Sequence, residues 1–345
     1  MQSLPSTGGP KERTPLISFP SSEAIQDFLT SATFPNDYDP RLFEKLVSQK
    51  IPPLLSPGAL GFTLGVSPKL ITAMARFPDK YYRHFNLKKK DGSKRQISAP
   101  RTFLKTVQKY ILDFILAGQT LPPNVTGFVR GRGIFQNASF HIGAPYLLNV
   151  DIKDFFGSVR IDKIFPIYKQ LGFPVKMSNV LSRLCTYKGV LPQGAPTSPC
   201  LANLVFRPAD TGIQRLCKSY SLMYSRYADD LTFSSSKPIG RDFLGDLTRI
   251  LRSHSFEVNT RKVRFSRPGQ AKFVTGFVVN EEVHPNRETR RRLRAMFYNA
   301  SKHPEKYKDK WPTLAGWASF VKMYDKRLGR TYLMVANSVK KFART

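Results

Sequence analysis

Met223-Tyr224-Ser225-Arg226-Tyr227-Ala228-Asp229-Asp230-Leu231-Thr232-Phe233-Ser234 is two short runs of aromatic, apolar and β-branched residues meeting at adjacent carboxylates. The runs read as two strands of a hairpin with the Asp-Asp pair in the turn. Turns favour Asp for its local hydrogen bonding, so an isolated pair reads first as a solvated turn. A catalytic reading, with Asp229 and Asp230 facing a divalent metal, needs another carboxylate in a matching setting. Tyr146-Leu147-Leu148-Asn149-Val150-Asp151-Ile152-Lys153-Asp154-Phe155-Phe156 supplies one: a buried strand that runs into Asp151, 78 residues before Asp229. A strand-terminal Asp beside a hairpin-tip Asp can share two divalent ions. Metals about 3.5–4 Å apart stabilise both the attacking and the leaving oxygen of an in-line phosphoryl displacement. Mg²⁺ suits such a site, because few carboxylates and the substrate phosphates complete its shell.

Bulk properties narrow the partner. The 345 residues predict two or three subdomains around a shared core, and 41% hydrophobic content with 26 Phe and 14 Tyr is ample for packing. Lys+Arg 55 against Asp+Glu 24 leaves +31, a charge that points to a polyanion. Aromatics interleaved with the basic residues favour nucleic acid over a membrane surface. Cys185, Cys200 and Cys217 show no metal-site spacing and read as reduced core residues. Tyr110 to Leu116 is too short an apolar run to cross a bilayer and is broken by Asp113. The first 13 residues lack the apolar core of a signal peptide. These features place the protein in the cytoplasm.

Along the chain, residues 1–20 read as a polar arm, followed by helices capped at Ser21-Ser22 and Ser67-Pro68. Asp91-Gly92 predicts a turn joining a strand with Lys88 to Lys90 to one with Lys94 and Arg95. That basic hairpin suits a triphosphate or a nucleic-acid backbone, or is an edge blunted with Lys. A helical pattern from Leu104 to Ile115 stops at Pro122-Pro123, and Gly127 to Gly133 reads as a flexible basic loop. A lone His141 reads as a packing or capping residue. Helices are expected over Ile161 to Leu171, Ser178 to Tyr187 and Leu201 to Tyr220, the last with a kink at Pro208. Leu191 to Pro199 reads as a rigid turn. After a helix through Phe243 and Leu251, strands are expected through Phe256-Glu257-Val258 and through Phe273 to Val279. Residues 283–345 carry 16 Lys+Arg against 4 Asp+Glu and read as a basic helical terminal domain, with helix starts at Asn286 and Pro312.

Taken in order, the basic hairpin with Arg95-Gln96-Ile97-Ser98-Ala99-Pro100, the Asp151 strand, Leu191-Pro192-Gln193-Gly194, Tyr227-Ala228-Asp229-Asp230 and Asn259 to Lys262 resemble the motifs of a reverse transcriptase. The resemblance covers roughly residues 85–280. Asn137-Ala138-Ser139-Phe140-His141, Leu191 to Pro199 and Val274-Thr275-Gly276 are similar to the bacterial retron group, on the group II intron-like lineage. The implied fold is α+β, a right-hand polymerase with fingers, an antiparallel palm and a helical thumb. Its expected parts are a lead-in and fingers over 21–145, a palm over 146–282 with finger-adjacent helices 161–190, and a thumb over 283–345. The size leaves no room for an endonuclease, integrase, RNase H or maturase-like extension.

The resemblance implies a set of roles. Asp151, Asp229 and Asp230 would be catalytic and hold two Mg²⁺ ions, or Mn²⁺, with the Ile152 carbonyl completing a shell. Asp230 is the less certain direct ligand of the three. Lys89, Arg95, Phe156, Gln193, Gly194 and Lys262 would bind the incoming dNTP, with Phe156 excluding a 2′-hydroxyl and Lys262 protonating pyrophosphate. Phe155 could equally supply the packed ring, and Lys262 could be a surface residue. Asn137, His141, Val274, Thr275, Gly276, Arg287, Arg290, Arg291 and Arg294 are the expected RNA contacts. The implied partners are a cognate structured noncoding RNA that is template and primer, its DNA product, dNTPs, and a separate effector in antiphage defence; no membrane is involved. Priming from an RNA 2′-hydroxyl would give a branched product. The alternatives are a group II intron-like or diversity-generating reverse transcriptase, or a non-catalytic RNA-binding protein on the same scaffold.

Overall fold

The computed structural model describes residues 20–30, 38–88, 92 and 94–342. All but the last residue of the expected 1–20 arm lies outside them, as do Lys89, Lys90 and Asp91 of the basic hairpin. The chain is α+β with antiparallel sheets and divides into two units: Met1–Gly118 with Ile161–Thr197, and Gln119–Arg160 with Ser198–Thr345.

The first unit begins with α1 (Ser22–Thr30), α2 (Pro40–Ser48), α3 (Pro57–Leu64) and α4 (Pro68–Arg76). Their starts are fixed by local chemistry. Ser21, Asp39, Ser56 and Ser67 accept amide hydrogen bonds of the first turn through their side chains, and a Pro opens α2, α3 and α4, where a missing N–H costs nothing. β1 (Tyr82–Lys88) pairs antiparallel with β2 (Lys94–Pro100), in register from Tyr82↔Pro100 to Lys88↔Lys94. In the connection Gly92 has φ +82°, a left-handed conformation that glycine takes without steric cost. α5 (Thr102–Tyr110) continues as π-helix to Leu116. α6 (Ile134–Ser139) and β3 (Tyr146–Asp151) belong to the second unit, and α7 (Ile161–Leu171) and α8 (Val175–Cys185) return to the first. Buried Gln108 ties that unit together, donating to Tyr82 Oη at 2.8 Å and to the Leu184 carbonyl at 2.7 Å.

The second unit continues with α9 (Ser198–Ser219), β4 (Met223–Tyr227), β5 (Asp230–Ser235), α10 (Arg241–Ser253) and β6 (Arg264–Ser266). The strands form one antiparallel sheet in the order β4-β5-β3-β6. β7 (Phe273–Val274), β8 (Phe277–Val278) and β9 (His284–Pro285) make a small second sheet. α11 (Arg287–Lys302), α12 (Trp311–Tyr324) and α13 (Lys326–Phe342) close the chain. They bury Leu293 and Phe297 against Leu314, Ala318 and Val321 and against Tyr332, Ala336 and Val339, the three- and four-residue spacing of facing helical stripes.

Several local expectations are corrected. Phe273 to Val279 is a tight hairpin, not one strand, because Thr275 and Gly276 adopt φ +45° and +86° and reverse the chain. The strand through Phe256 to Val258 is a single bridge, Ile152↔Val258. Helices α8 and α9 each start three residues earlier than the apolar spacing suggests: Pro174 is the N-cap of α8, and Pro199 lies in the first turn of α9, where a proline fits. The loop over 127–133 is held, not loose: Arg132 donates to the carbonyls of Pro122, of Val125 at 2.7 Å and of Leu121 at 3.1 Å.

Candidate active site

The alternation of β3, β4 and β5 sorts the sheet into two faces. Directly paired residues share a face, so Asp151↔Asp230, Asn149↔Thr232, Leu147↔Ser234 and Ser225↔Thr232 lie on one side. Val150↔Leu231, Leu148↔Phe233 and Tyr224↔Phe233 lie on the other. The second side is covered by helices: Phe233 meets Phe243 of α10 edge-on, with ring centroids 4.9 Å apart. The first side carries two of the three carboxylates.

The hairpin turn is two residues, Ala228 and Asp229, with Tyr227 paired to Asp230. Asp230 is therefore the first residue of β5, a shift from the expected Asp-Asp turn. Ala228 has φ +57°, a region that costs a non-glycine residue about 1–2 kcal/mol. The surrounding structure holds it there. Arg226, with no exposed surface, donates from Nη1 to the Ala228 carbonyl at 3.0 Å and to Asn203 Oδ1 at 2.8 Å. Its Nε and Nη2 form a two-point pair with Asp210 at 2.9 and 2.6 Å. Tyr224 donates to the same Asp210 at 2.7 Å, and the Phe206 ring lies 4.4 Å from the guanidinium carbon. From the other side, Thr126 donates to the Arg226 carbonyl and Arg226 donates to the Asn124 carbonyl, both at 2.8 Å. A Cβ on Gly127 would fall on the Ala228 amide nitrogen and 2.8 Å from the Tyr227 carbonyl carbon.

Asp151 meets this tip. The Ile152 amide donates to the Asp229 carbonyl at 2.9 Å, which docks the end of β3 on the turn. Asp151 is 7% exposed; its Oδ1 accepts from Asn259 Nδ2 at 2.9 Å and its Oδ2 from Lys262 Nζ at 2.8 Å. The hydrogen bond to Asp151 raises the Lys262 pKa, helped by the charges of Asp151, Asp229 and Asp230. Asp230 is raised to about 6 by lost hydration and by the charges of Asp229 and Asp151, with Lys262 opposing. Its side chain keeps solvent access, so water screens part of that effect. Three carboxylates crowded until one resists ionising are a fit for a cation. Among the described residues no three acidic, His or Cys groups are arranged to hold an ion by themselves.

The aromatic pair after Asp151 splits. Phe155 is 3% exposed and packs on Phe206 and Phe256, with centroids 5.8 and 5.9 Å away. Phe156 is half-buried and faces Phe128 at 6.1 Å, and Phe128 lies 6.3 Å from Tyr227. Core packing is thus the role of Phe155, and Phe156 keeps part of its surface exposed.

The other expected site residues fall into three groups. In the first unit, Arg95 is exposed on β2, and the Gln193 carbonyl accepts from the Ser98 amide at 2.8 Å, docking the Gln193-Gly194 turn on that strand. Gly194 has φ +120°, and a Cβ there would come within 3.0 Å of Ile97. Lys89 lies outside the described residues. In the second unit, Asn137, His141 and Val274 are buried, which corrects their expected role as surface RNA contacts. His141 bridges β4 and β5 on the carboxylate-bearing face of the sheet, 2.7 Å from both Ser225 Oγ and Ser234 Oγ, and burial pushes its pKa down to about 3. Asn137 Oδ1 accepts from Thr126 Oγ1 at 2.9 Å, and Thr275 Oγ1 donates to the Ile134 carbonyl at 2.7 Å. This polar set braces the sheet and α6. Arg287, Arg291 and Arg294 are exposed on α11, and Arg290 is half-buried.

The pattern of the family described as reverse transcriptase (RNA-dependent DNA polymerase) matches residues 87–292. The chain is 35% identical over 287 residues to Retron Ec86 reverse transcriptase of Escherichia coli, covering 80% of this chain and 87% of that one. It is 33% identical over 284 residues to Retron Mx65 reverse transcriptase of Myxococcus xanthus, covering 77% and 66% of the two chains. The chain belongs to the retron reverse transcriptases. It is accordingly an RNA-directed DNA polymerase whose template is RNA and whose substrates are dNTPs, and its family depends on divalent metal. Among solved structures, telomerase from Candida albicans aligns over 76% of this chain and 61% of its own, with a TM-score of 0.44 and 9% identity. Among the described residues no helix is long and apolar enough to cross a membrane.

Against this reverse transcriptase background, the sequence reading missed three supporting parts. Asn259 holds Asp151, Arg226 with Asp210 holds the turn, and Phe128 flanks Phe156. Of these only Asn259 had a local signal, its place in the Asn259 to Lys262 motif.

Proposed function

We propose that this chain copies part of a cognate structured noncoding RNA into single-stranded DNA by two-metal-ion nucleotidyl transfer. The observation that carries the reading is the convergence of Asp151, Asp229 and Asp230 at the end of β3 and the β4–β5 turn, with Asp230 raised to about 6 by that crowding. Two Mg²⁺ ions, or Mn²⁺ in their place, would supply the positive charge that activates the primer hydroxyl and offsets the leaving pyrophosphate. Asp151, Asp229 and the Ile152 carbonyl would hold them, with Asp230 beside. Asn259 and Lys262 fix the orientation of the Asp151 carboxylate. Lys262, kept protonated by its bond to Asp151 and its carboxylate neighbours, would give a proton to departing pyrophosphate. Phe156 would sit under the sugar and exclude a 2′-hydroxyl, while Lys89, Arg95, Gln193 and Gly194 would grip the incoming nucleotide. We assign fingers to 21–145, palm to 146–282 with helices over 161–190, and thumb to 283–345.

The proposal extends, by resemblance to the retron group, to a cognate RNA that is template and primer together, priming from an RNA 2′-hydroxyl, and a place in cytoplasmic antiphage defence beside a separate effector. Purified protein with annealed RNA template, DNA primer, Mg²⁺ and dNTPs tests the core of the reading. Wild type extends the primer; Asp229→Asn brings extension below detection and still binds RNA. Failure of the wild type across several salt concentrations, or loss of RNA binding in Asp229→Asn, overturns it.

A further inference from the structure

Phe128 lies in the loop that leads into α6, and its backbone has φ +60°. A bulky residue in the left-handed region is a genuine outlier. Its side chain stays 49% exposed, so burial in the core does not offset the strain. Such strain persists only where the surrounding structure over-determines it, and here the chain is anchored on both sides of the residue. Upstream, the Thr126 amide donates to the Arg226 carbonyl at 2.8 Å, and the Gly127 carbonyl accepts from the buried Asn203 Nδ2 at 2.9 Å. Downstream, the Arg132 amide donates to the Val129 carbonyl at 3.1 Å, and its guanidinium is bound by three further carbonyls of the loop's approach. The Phe128 backbone is thereby fixed in a costly conformation, and what it gains is the placement of one ring.

That ring lies beside two residues that flank the carboxylates in sequence. Its centroid is 6.1 Å from Phe156, five residues after Asp151, and 6.3 Å from Tyr227, two residues before Asp229. Separations of this size are those of interacting aromatic pairs. Phe156 has a second aromatic neighbour in Phe155, at 5.6 Å, which Phe206 and Phe256 lock into the core. The Phe156 backbone is also set: the Val159 amide donates to its carbonyl at 3.1 Å, and the Ser158 amide to the Asp154 carbonyl at 2.9 Å. What stays adjustable is the half-buried Phe156 ring. A phenyl side chain chooses among staggered rotamers, and its neighbours decide which of them is open. Phe155 supplies one wall and Phe128 a second. Steric exclusion needs close contact, and a misplacement of about 1 Å is enough to change a rate about 10²-fold.

We infer that Phe128 is a positioning residue for sugar discrimination, its ring holding Phe156 in the rotamer that excludes a 2′-hydroxyl. This rests on the role proposed above for Phe156 and adds the residue that fixes that side chain. Single-nucleotide primer extension by the full chain, with Mg²⁺ and either a dNTP or the matching rNTP, gives the ratio of the two kcat/KM values. It is measured for wild type, Phe128→Ala, Phe128→Tyr, Phe156→Ala and the Phe128→Ala/Phe156→Ala double variant. Both substrates are run on one preparation, so an unfolded fraction cancels in the ratio. Phe128→Ala is expected to lower discrimination about 10-fold or more, the scale on which a pocket separates substrates that differ by one small group, with the change in a lower rNTP KM. Phe128→Tyr keeps the ring and restores the wild-type ratio. The double variant matches Phe156→Ala alone, because Phe128 then has no ring to hold. Phe156→Ala scores the gate by itself: an unchanged ratio there overturns the role of Phe156 and the inference with it. A ratio lowered by Phe156→Ala and untouched by Phe128→Ala leaves the gate standing and overturns the inference. Effects that multiply in the double variant also overturn it, making Phe128 a direct contact of the nucleotide. So does a Phe128→Tyr variant no better than Phe128→Ala, or loss of all dNTP extension in both, which would assign Phe128 to support of the β4–β5 turn.

Discussion

Replacing Arg226 by Met tests whether the β4–β5 turn is held by the buried Arg226 network. Arg226 is wholly buried and makes two bonds to Asp210, one to Asn203 and one to the Ala228 carbonyl. The variant strands Asp210 as a buried charge with Tyr224 as its remaining described hydrogen-bond partner, which costs about 3–5 kcal/mol. Against a typical total of about 5–15 kcal/mol, that is a large fraction. Adding Asp210→Leu removes the stranded charge, and replacing a buried pair by apolar residues is often near neutral. The double variant should therefore regain most of the stability and still lack the tether on Ala228, whose positive φ relaxes once released. A small displacement of a reacting group can cost about 10²-fold in rate. Urea denaturation reports the stability, and single-turnover primer extension at saturating dNTP reports the chemistry. The expected pattern is a single variant weakened in both and a double variant stable but slow, with the nucleotide KM little changed. A double variant that recovers full rate would refute the tether and leave Arg226 a packing residue.

Gly127→Ala should destabilise the second unit by about 3 kcal/mol through overpacking and abolish extension, because the new methyl meets backbone at Tyr227 and Ala228, which cannot swing aside as a side chain can; wild-type activity in that variant would show that the loop yields. The buried His141 makes a pH prediction. Its folded pKa of about 3 lies below its ordinary 6.5, so the unfolded chain binds the proton first and stability falls as pH drops below 6.5. The loss is about 2 kcal/mol by pH 5. Asp230, raised from 3.8 to about 6, acts in the opposite sense between those values, so the measurement is made on Asp230→Asn. Denaturation at pH 7 and 5 should show the loss there, and adding His141→Gln should remove it; an unchanged slope would place the titration elsewhere.

Much of the site was legible in sequence because it is built from local patterns. Alternation gave the β4–β5 hairpin, the apolar run gave β3, and Ser67-Pro68 and Asn286 marked helix starts that the structure caps as expected. Where local pattern misled, the cause was backbone conformation or burial. Thr275-Gly276 turns a plausible strand into a hairpin, and Asn137 and His141, polar residues in a short motif, are buried, His141 against the carboxylate-bearing face of the sheet. Sequence gives polarity, and polarity alone does not say which face of a sheet a residue meets.

The amino-acid sequence by itself determined the family and the three carboxylates, since both rest on motifs whose order and spacing survive without coordinates. Only the tertiary structure decided what holds those carboxylates in place. Asp210 lies 16 residues from Arg226, Asn259 lies 108 from Asp151, and His141 lies 84 and 93 from its two serines. Hydrogen bonds across such separations depend on which faces the fold brings together, and no local spacing encodes that.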